Sequence, residues 1–103
     1  MARAVQRPAA RRDFIIHYAY LLEHAGLAVA KRFRKAVEDA YDELAKRPGM
    51  GSPRKFRQAK YADVRLWPVQ GFGSYLVAYR PRQAGIAVER LIHAKQDYQR
   101  VLK

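Results

Sequence analysis

Cysteine is missing from the chain altogether, so no disulfide can staple the fold and no thiolate can hold a metal. Such a chain suits a reducing compartment, and the cytoplasm is the expected location. Long apolar runs are missing as well. No segment approaches the roughly 18 apolar residues of a spanning helix, and the opening MARAVQRPAARRDF lacks the continuous apolar stretch of a signal peptide, so no membrane association is expected. Acidic residues are scarce: nine Asp and Glu stand against 21 Lys and Arg, a formal charge of +12, with a pI near 10.5. That imbalance raises attraction to nucleic acid, ribosomes and acidic protein segments. A solvated basic surface with no dedicated partner has the same composition, so charge alone names no partner.

What is present describes an ordinary folding chain. Of 103 residues 50% are hydrophobic and 29% charged, enough for one modest core and a single domain over residues 1–103. Arg3 to Arg7 is a brief run where a strand would fit. Pro8 suits the first position of a helix, where its missing N–H costs nothing. The periodicity predicts that helix to about Ala25, with Ile15, Tyr18, Leu22 and Ala25 on its apolar face and Phe14 and Leu21 flanking. Arg11, Arg12, His17 and Glu23 are expected to point elsewhere. Gly26 is a natural helix stop. A second helix follows, with the stripe Ala30, Phe33, Val37, Ala40, Tyr41 and Leu44, and Pro48 and Gly49 close it. The two should form an antiparallel hairpin that needs cover from the C-terminal half.

Residues 47–60 (RPGMGSPRKFRQAK) read as a basic loop. Arg54, Lys55, Arg57 and Lys60 around Phe56 form either a phosphate-binding lip or a solvated connection. From Val64 the period becomes two. Val64–Val69, Ser74–Arg80 and Ile86–His93 are expected strands, separated by turns at Gln70–Gly73 and Pro81–Gly85. They imply an antiparallel meander with one face on the helices and the other partly open. The tail from Lys95 has weak helical character.

Several residues stand out for chemistry. Arg65, Arg80 and Arg90 come from three different strands, and their convergence on the open sheet face would make an anion or partner site. His93 is either a general base or a cap bonding backbone or Asp97. His17 and His24 lack a third ligand in register, so neither metal nor any other cofactor is expected. Trp67 reads as packing.

The order strand, helix, helix, basic loop, three-strand meander and short tail, with LAKRPGMGSP, VRLWPV, YLVAYRP and IAVERLIHAKQDY as its carrying segments, resembles the RelE/ParE superfamily. Its members are toxins of type II toxin-antitoxin pairs. The resemblance implies an α+β fold: an N-terminal strand and a helical hairpin packed on a small antiparallel sheet. It also implies one of two activities. RelE-like members are ribosome-dependent mRNA endonucleases, and cleavage by the 2′-OH needs cations for the phosphate together with a base and an acid. The corresponding residues would be Arg65, Arg80, Lys95 and Tyr98, but Trp67 and Leu76 stand where further cations are expected. ParE-like members poison DNA gyrase by binding. Their strand pattern resembles YLVAYRP, and Arg90, His93 and Asp97 match the ending Arg-x-x-His-Gly-Ala-Arg-Asp, with Ala94 for its glycine and Gln96 for its arginine.

The favoured expectation is therefore a ParE-like toxin that inhibits gyrase and is neutralised by a cognate acidic antitoxin, with no chemistry of its own. Partner or anion contacts are expected at Arg54, Lys55, Arg57, Arg65, Arg80, Arg90, His93 and Asp97. The alternatives are an mRNA endonuclease acting on the ribosome and a basic binding module without toxicity. A homodimer or a toxin-antitoxin hetero-oligomer is compatible with either activity.

Overall fold

The computed structural model describes residues 2–53, 58–96 and 98–102, without the side chains of residues 98 and 99. The chain opens with β1 (Arg3–Gln6) and turns into α1 (Pro8–Ala25), whose first residue is the proline expected there. Gly26, at φ 92°, lies where a side chain would be strained, and it separates α1 from α2 (Leu27–Lys46). Then come β2 (Ser52–Pro53), a 3-10 turn over Ala59–Tyr61, β3 (Arg65–Val69), β4 (Phe72–Arg82), β5 (Gly85–His93) and α3 (Tyr98–Val101).

The sheet order is β1-β5-β4-β3-β2. β1 runs parallel to β5, with Ala4 opposite Ile86, whereas along β5, β4, β3 and β2 each strand is antiparallel to its neighbour. The expected meander is thus present, extended by a parallel strand at one edge and a two-residue strand within the basic loop at the other. β4 is longer than its alternation suggested. It begins at Phe72 after a two-residue turn and continues through Pro81 and Arg82, Arg82 pairing opposite Gly85.

α2 buries the stripe read from its periodicity: Ala30, Phe33, Val37, Ala40 and Leu44 are buried and Tyr41 half-buried. Phe33, Val37, Ala40 and Leu44 pack with Ala10 on Val69, Tyr75, Val77, Tyr79, Ile86, Val88 and Leu91. α1 is placed differently from expectation. Its inward residues are Ala10, Asp13, Phe14, His17 and Leu21, while Ile15 and Leu22 are 56% and 43% exposed. The inward set follows the helical spacing i, i+3, i+4, i+7, i+11, but two of its members are polar. A count of apolar residues alone therefore rotated the helix. His17 points into the protein rather than away from it.

The second face of the sheet is not open along its middle. Val64, Leu66, Ala78 and Ile92 form a second apolar cluster there, and Leu102 of the tail closes it with only 4% exposure. Tyr61, Leu76 and Val101 pack around the margin. The tail therefore follows a hydrophobic driving force that its four-residue helix would not supply by propensity.

Candidate functional site

β-strand alternation decides where each strand arginine goes. On β3, Leu66 joins the cluster under the tail, so its neighbours Arg65 and Trp67 project to the helix side. There Arg65 donates to the carbonyls of Gly49 and Gly51. The same loop is held by Tyr79, fully buried, which donates to the Pro48 carbonyl at 2.7 Å and accepts from the Gly51 N–H at 2.8 Å. Burial pushes the Tyr79 phenol above its ordinary range. A side chain at Gly51 would meet the Tyr79 ring at 2.7 Å, so glycine is required by close approach.

Arg80 and Arg90 lie on the opposite face, Arg80 by the alternation of β4 and Arg90 because a bulge at Glu89, between the pairs Ala78–Arg90 and Tyr79–Val88, shifts the register of β5. Arg80 sits between two carboxylates, 3.3 Å from Asp63 and 3.5 Å from Glu89, with its guanidinium 5.4 Å from the centre of the Tyr61 ring. The contact with Glu89 lacks hydrogen-bond geometry. Arg90 is held more firmly. Its Nε and Nη2 donate to the two oxygens of Asp13 at 2.7 and 2.9 Å, Nη1 donates to the Val101 carbonyl at 2.8 Å, and Asp13 also accepts from the Leu91 N–H at 3.0 Å. The bond to Asp13 raises the Arg90 pKa further. This fork ties α1, β5 and the tail at one point.

The expected convergence of three arginines is thus not what the fold makes. Arg65 is on the other side of the sheet, and Arg80 and Arg90 each have carboxylate partners. Lys95 is exposed, in the turn that follows β5. Arg54, Lys55, Phe56, Arg57 and Asp97 lie outside the described residues, as does the side chain of Tyr98. Among the described residues, no group of three His, Asp or Glu could hold a metal ion.

His93 ends β5 on the helix side. Its Nδ1 accepts from the Lys95 N–H at 3.1 Å, and its own N–H donates to Gln96 Oε1 at 2.9 Å. This is the capping role anticipated as one of two. Desolvation first, then His17 and Lys95, lowers its pKa, so the ring is neutral at pH 7. Tyr75 stands between two imidazoles, its ring 5.0 Å from His17 and 4.9 Å from His93, both edge-on. His17 Nε2 is 2.9 Å from the Leu91 carbonyl. A carbonyl only accepts, so that nitrogen carries the hydrogen.

Asp13, His17 and Tyr75 were absent from the sequence reading of the site. One signal was available: Ala10, Asp13, Phe14, His17 and Leu21 share a helical face, and a lone carboxylate on such a face demands a cation from the sheet.

The model of the family described as "ParE toxin of type II toxin-antitoxin system, parDE" matches residues 5–98. Among solved structures, a chain of the chromosomal ParDE TA system from P. aeruginosa is similar, with a TM-score of 0.73 and 16% identity, over 90% of this chain and 96% of that one. At that identity the likeness concerns the fold. No curated protein is significantly similar in sequence.

Proposed function

The chain belongs to the ParE toxin family of type II toxin-antitoxin systems, and we propose that it acts by binding and inhibiting DNA gyrase and is neutralised by a cognate acidic antitoxin. The supporting observation is the engagement of the strand arginines. A nuclease that cuts RNA through its own 2′-OH must hold the phosphate with cations free to do so. Here Arg80 faces Asp63 and Glu89, Arg90 is forked onto Asp13, and Arg65 serves two loop carbonyls on the other face. Recruiting Arg90 to a phosphate would leave Asp13 with only the Leu91 N–H, an outcome that works against catalysis, whereas Asp63 and Glu89 would keep Arg82 and Arg7 if Arg80 moved. A binding mode asks for no such rearrangement. The surplus of cations favours an acidic antitoxin through long-range attraction and register.

Purified gyrase and relaxed plasmid test this directly. Added protein should suppress supercoiling, and preincubation with the antitoxin should restore it. Codon-positioned cleavage of mRNA on translating ribosomes, with gyrase unaffected, would overturn the reading.

A further inference from the structure

The outer side of α1 carries a pattern of its own. Arg12, Ile16, Ala19 and Glu23 are all exposed and follow one another at intervals of four, three and four residues, the spacing of a single line along a helix. That line lies away from the inward set of Ala10, Asp13, Phe14, His17 and Leu21. Ile16 is 63% exposed. Ile15 and Leu22 edge the line on one flank and Tyr20 on the other, and all three are exposed. Apolar side chains grouped this way on a small domain mark a contact surface more than a solvated one. Neither Arg12 nor Glu23 has an ion pair among the described residues.

The order of the four residues is self-complementary. Two such helices, laid antiparallel about a two-fold axis opposite the midpoint of His17 and Tyr18, bring Arg12 of each copy onto Glu23 of the other and Ile16 of each onto Ala19 of the other. The two central layers then set a large side chain against a small one, and the two end layers join opposite charges. On the flanks, Ile15 and Tyr20 each stand beside their own counterparts. We propose that two copies of this chain associate through this face of α1 as an antiparallel helix pair in that register. The pairing is independent of which target the toxin binds. A line holding one cation and one anion offers little to a polyanion or to a uniformly acidic segment, whereas a second copy supplies the opposite charge at each end. Repulsion between two chains of net charge +12 is screened beyond about 8 Å at physiological salt, while the cross pairs act at contact. The contact covers about three helical turns, so the dimer is weak, with a Kd of about 10–100 µM.

Sedimentation of the full chain without antitoxin, in about 0.15 M NaCl, should show monomer giving way to dimer between about 5 and about 500 µM. Ile16→Ser, at an exposed position, should weaken association about tenfold without changing the melting temperature. Arg12→Glu alone and Glu23→Arg alone place like charges in both end layers and should each weaken it about tenfold. An equimolar mixture of those two variants restores opposite charges in both layers and should dimerise as the wild type does. Because the chain has no cysteine, Ile16→Cys and Ala19→Cys introduce unique thiols, and a mixture of the two should form the intermolecular disulfide faster than either variant alone. A chain that stays monomeric to about 500 µM, a dimer indifferent to Ile16→Ser, a mixture of charge variants that fails to associate, or thiols that couple as fast within each cysteine variant as between them would overturn the proposal. A monomer whose Ile16→Ser variant instead loses affinity for the antitoxin would give the face to that partner and equally sink it. Gyrase inhibition enters none of these measurements, so the target and the self-association stand or fall separately.

Discussion

Replacing Arg90 by Met removes the side chain that joins three elements, and the contacts set the cost. Asp13 then loses two of its three donors and keeps only the Leu91 N–H. Orphaning one partner of a buried pair costs about 3–5 kcal/mol. The side chains of Arg90 and Asp13 retain 27% and 12% exposure, so water recovers part of that. The released Val101 carbonyl adds back a smaller loss. About 3 kcal/mol is expected, which in a domain of this size lowers the melting temperature by about 15 °C.

Asp13→Asn should be milder, about 2 kcal/mol, because the amide oxygen still accepts from Leu91 or Arg90 and the more exposed guanidinium can turn to solvent. In the double variant the orphan is neutral, so its cost should fall about 1.5 kcal/mol below the sum of the singles. Urea unfolding followed by circular dichroism gives all three values. A loss under about 1 kcal/mol for Arg90→Met, or strict additivity in the cycle, would refute the view that this fork is what fixes α1 on the sheet.

Three further outcomes follow from other contacts. Tyr79→Phe strands the buried Gly51 N–H and leaves the half-buried Pro48 carbonyl without its donor, and should cost about 2 kcal/mol in urea unfolding. Leu102→Ala should cost about 2 kcal/mol, the low end for a buried leucine because its cluster is small, and a value near zero would mean this segment does not cover the sheet. His93 is held below its ordinary value of 6.5, so on acidification the unfolded chain takes the proton first. Its contribution to stability is therefore full above about pH 6.5 and declines as pH falls below that, and the wild-type minus His93→Asn difference in melting temperature should shrink on acidification.

The sequence carried most of the fold because periodicity and punctuation agreed: Pro8 and Gly26 bound α1, and the stripe from Ala30 to Leu44 is buried on α2 as read. Similarity to the ParE family extends over nearly the same residues that suggested it. The orientation of α1 was not legible, since hydrophobicity favours Ile15 and Leu22 for the interior, whereas the polar anchors Asp13 to Arg90 and His17 to the Leu91 carbonyl hold the helix turned the other way. The faces of the arginines were hidden for a related reason. Alternation says that Arg65 and Leu66 oppose each other, but which side holds the helices depends on a tail residue, Leu102, that claims the second face. The bulge at Glu89 adds a local shift of register that no period-two pattern contains.

These placements redirect the surplus of positive charge. Arg65, Arg80 and Arg90 are each engaged within the protein, so the cations left to act at a distance are those such as Arg11, Arg12, Lys31 and Arg32, exposed on the helices. Charges of that kind steer an approaching acidic partner and are screened over about 10 Å at moderate salt. They should therefore govern how fast a complex forms, while apolar contacts and close ion pairs govern how long it lasts. Raising NaCl from about 50 to about 300 mM should slow association with the antitoxin by about tenfold and change dissociation by less than about twofold. Surface plasmon resonance separates the two rates. A salt effect carried mainly by dissociation would mean that the surplus charge lies inside the contact, and the helices would then have to be assigned a direct role in holding the partner.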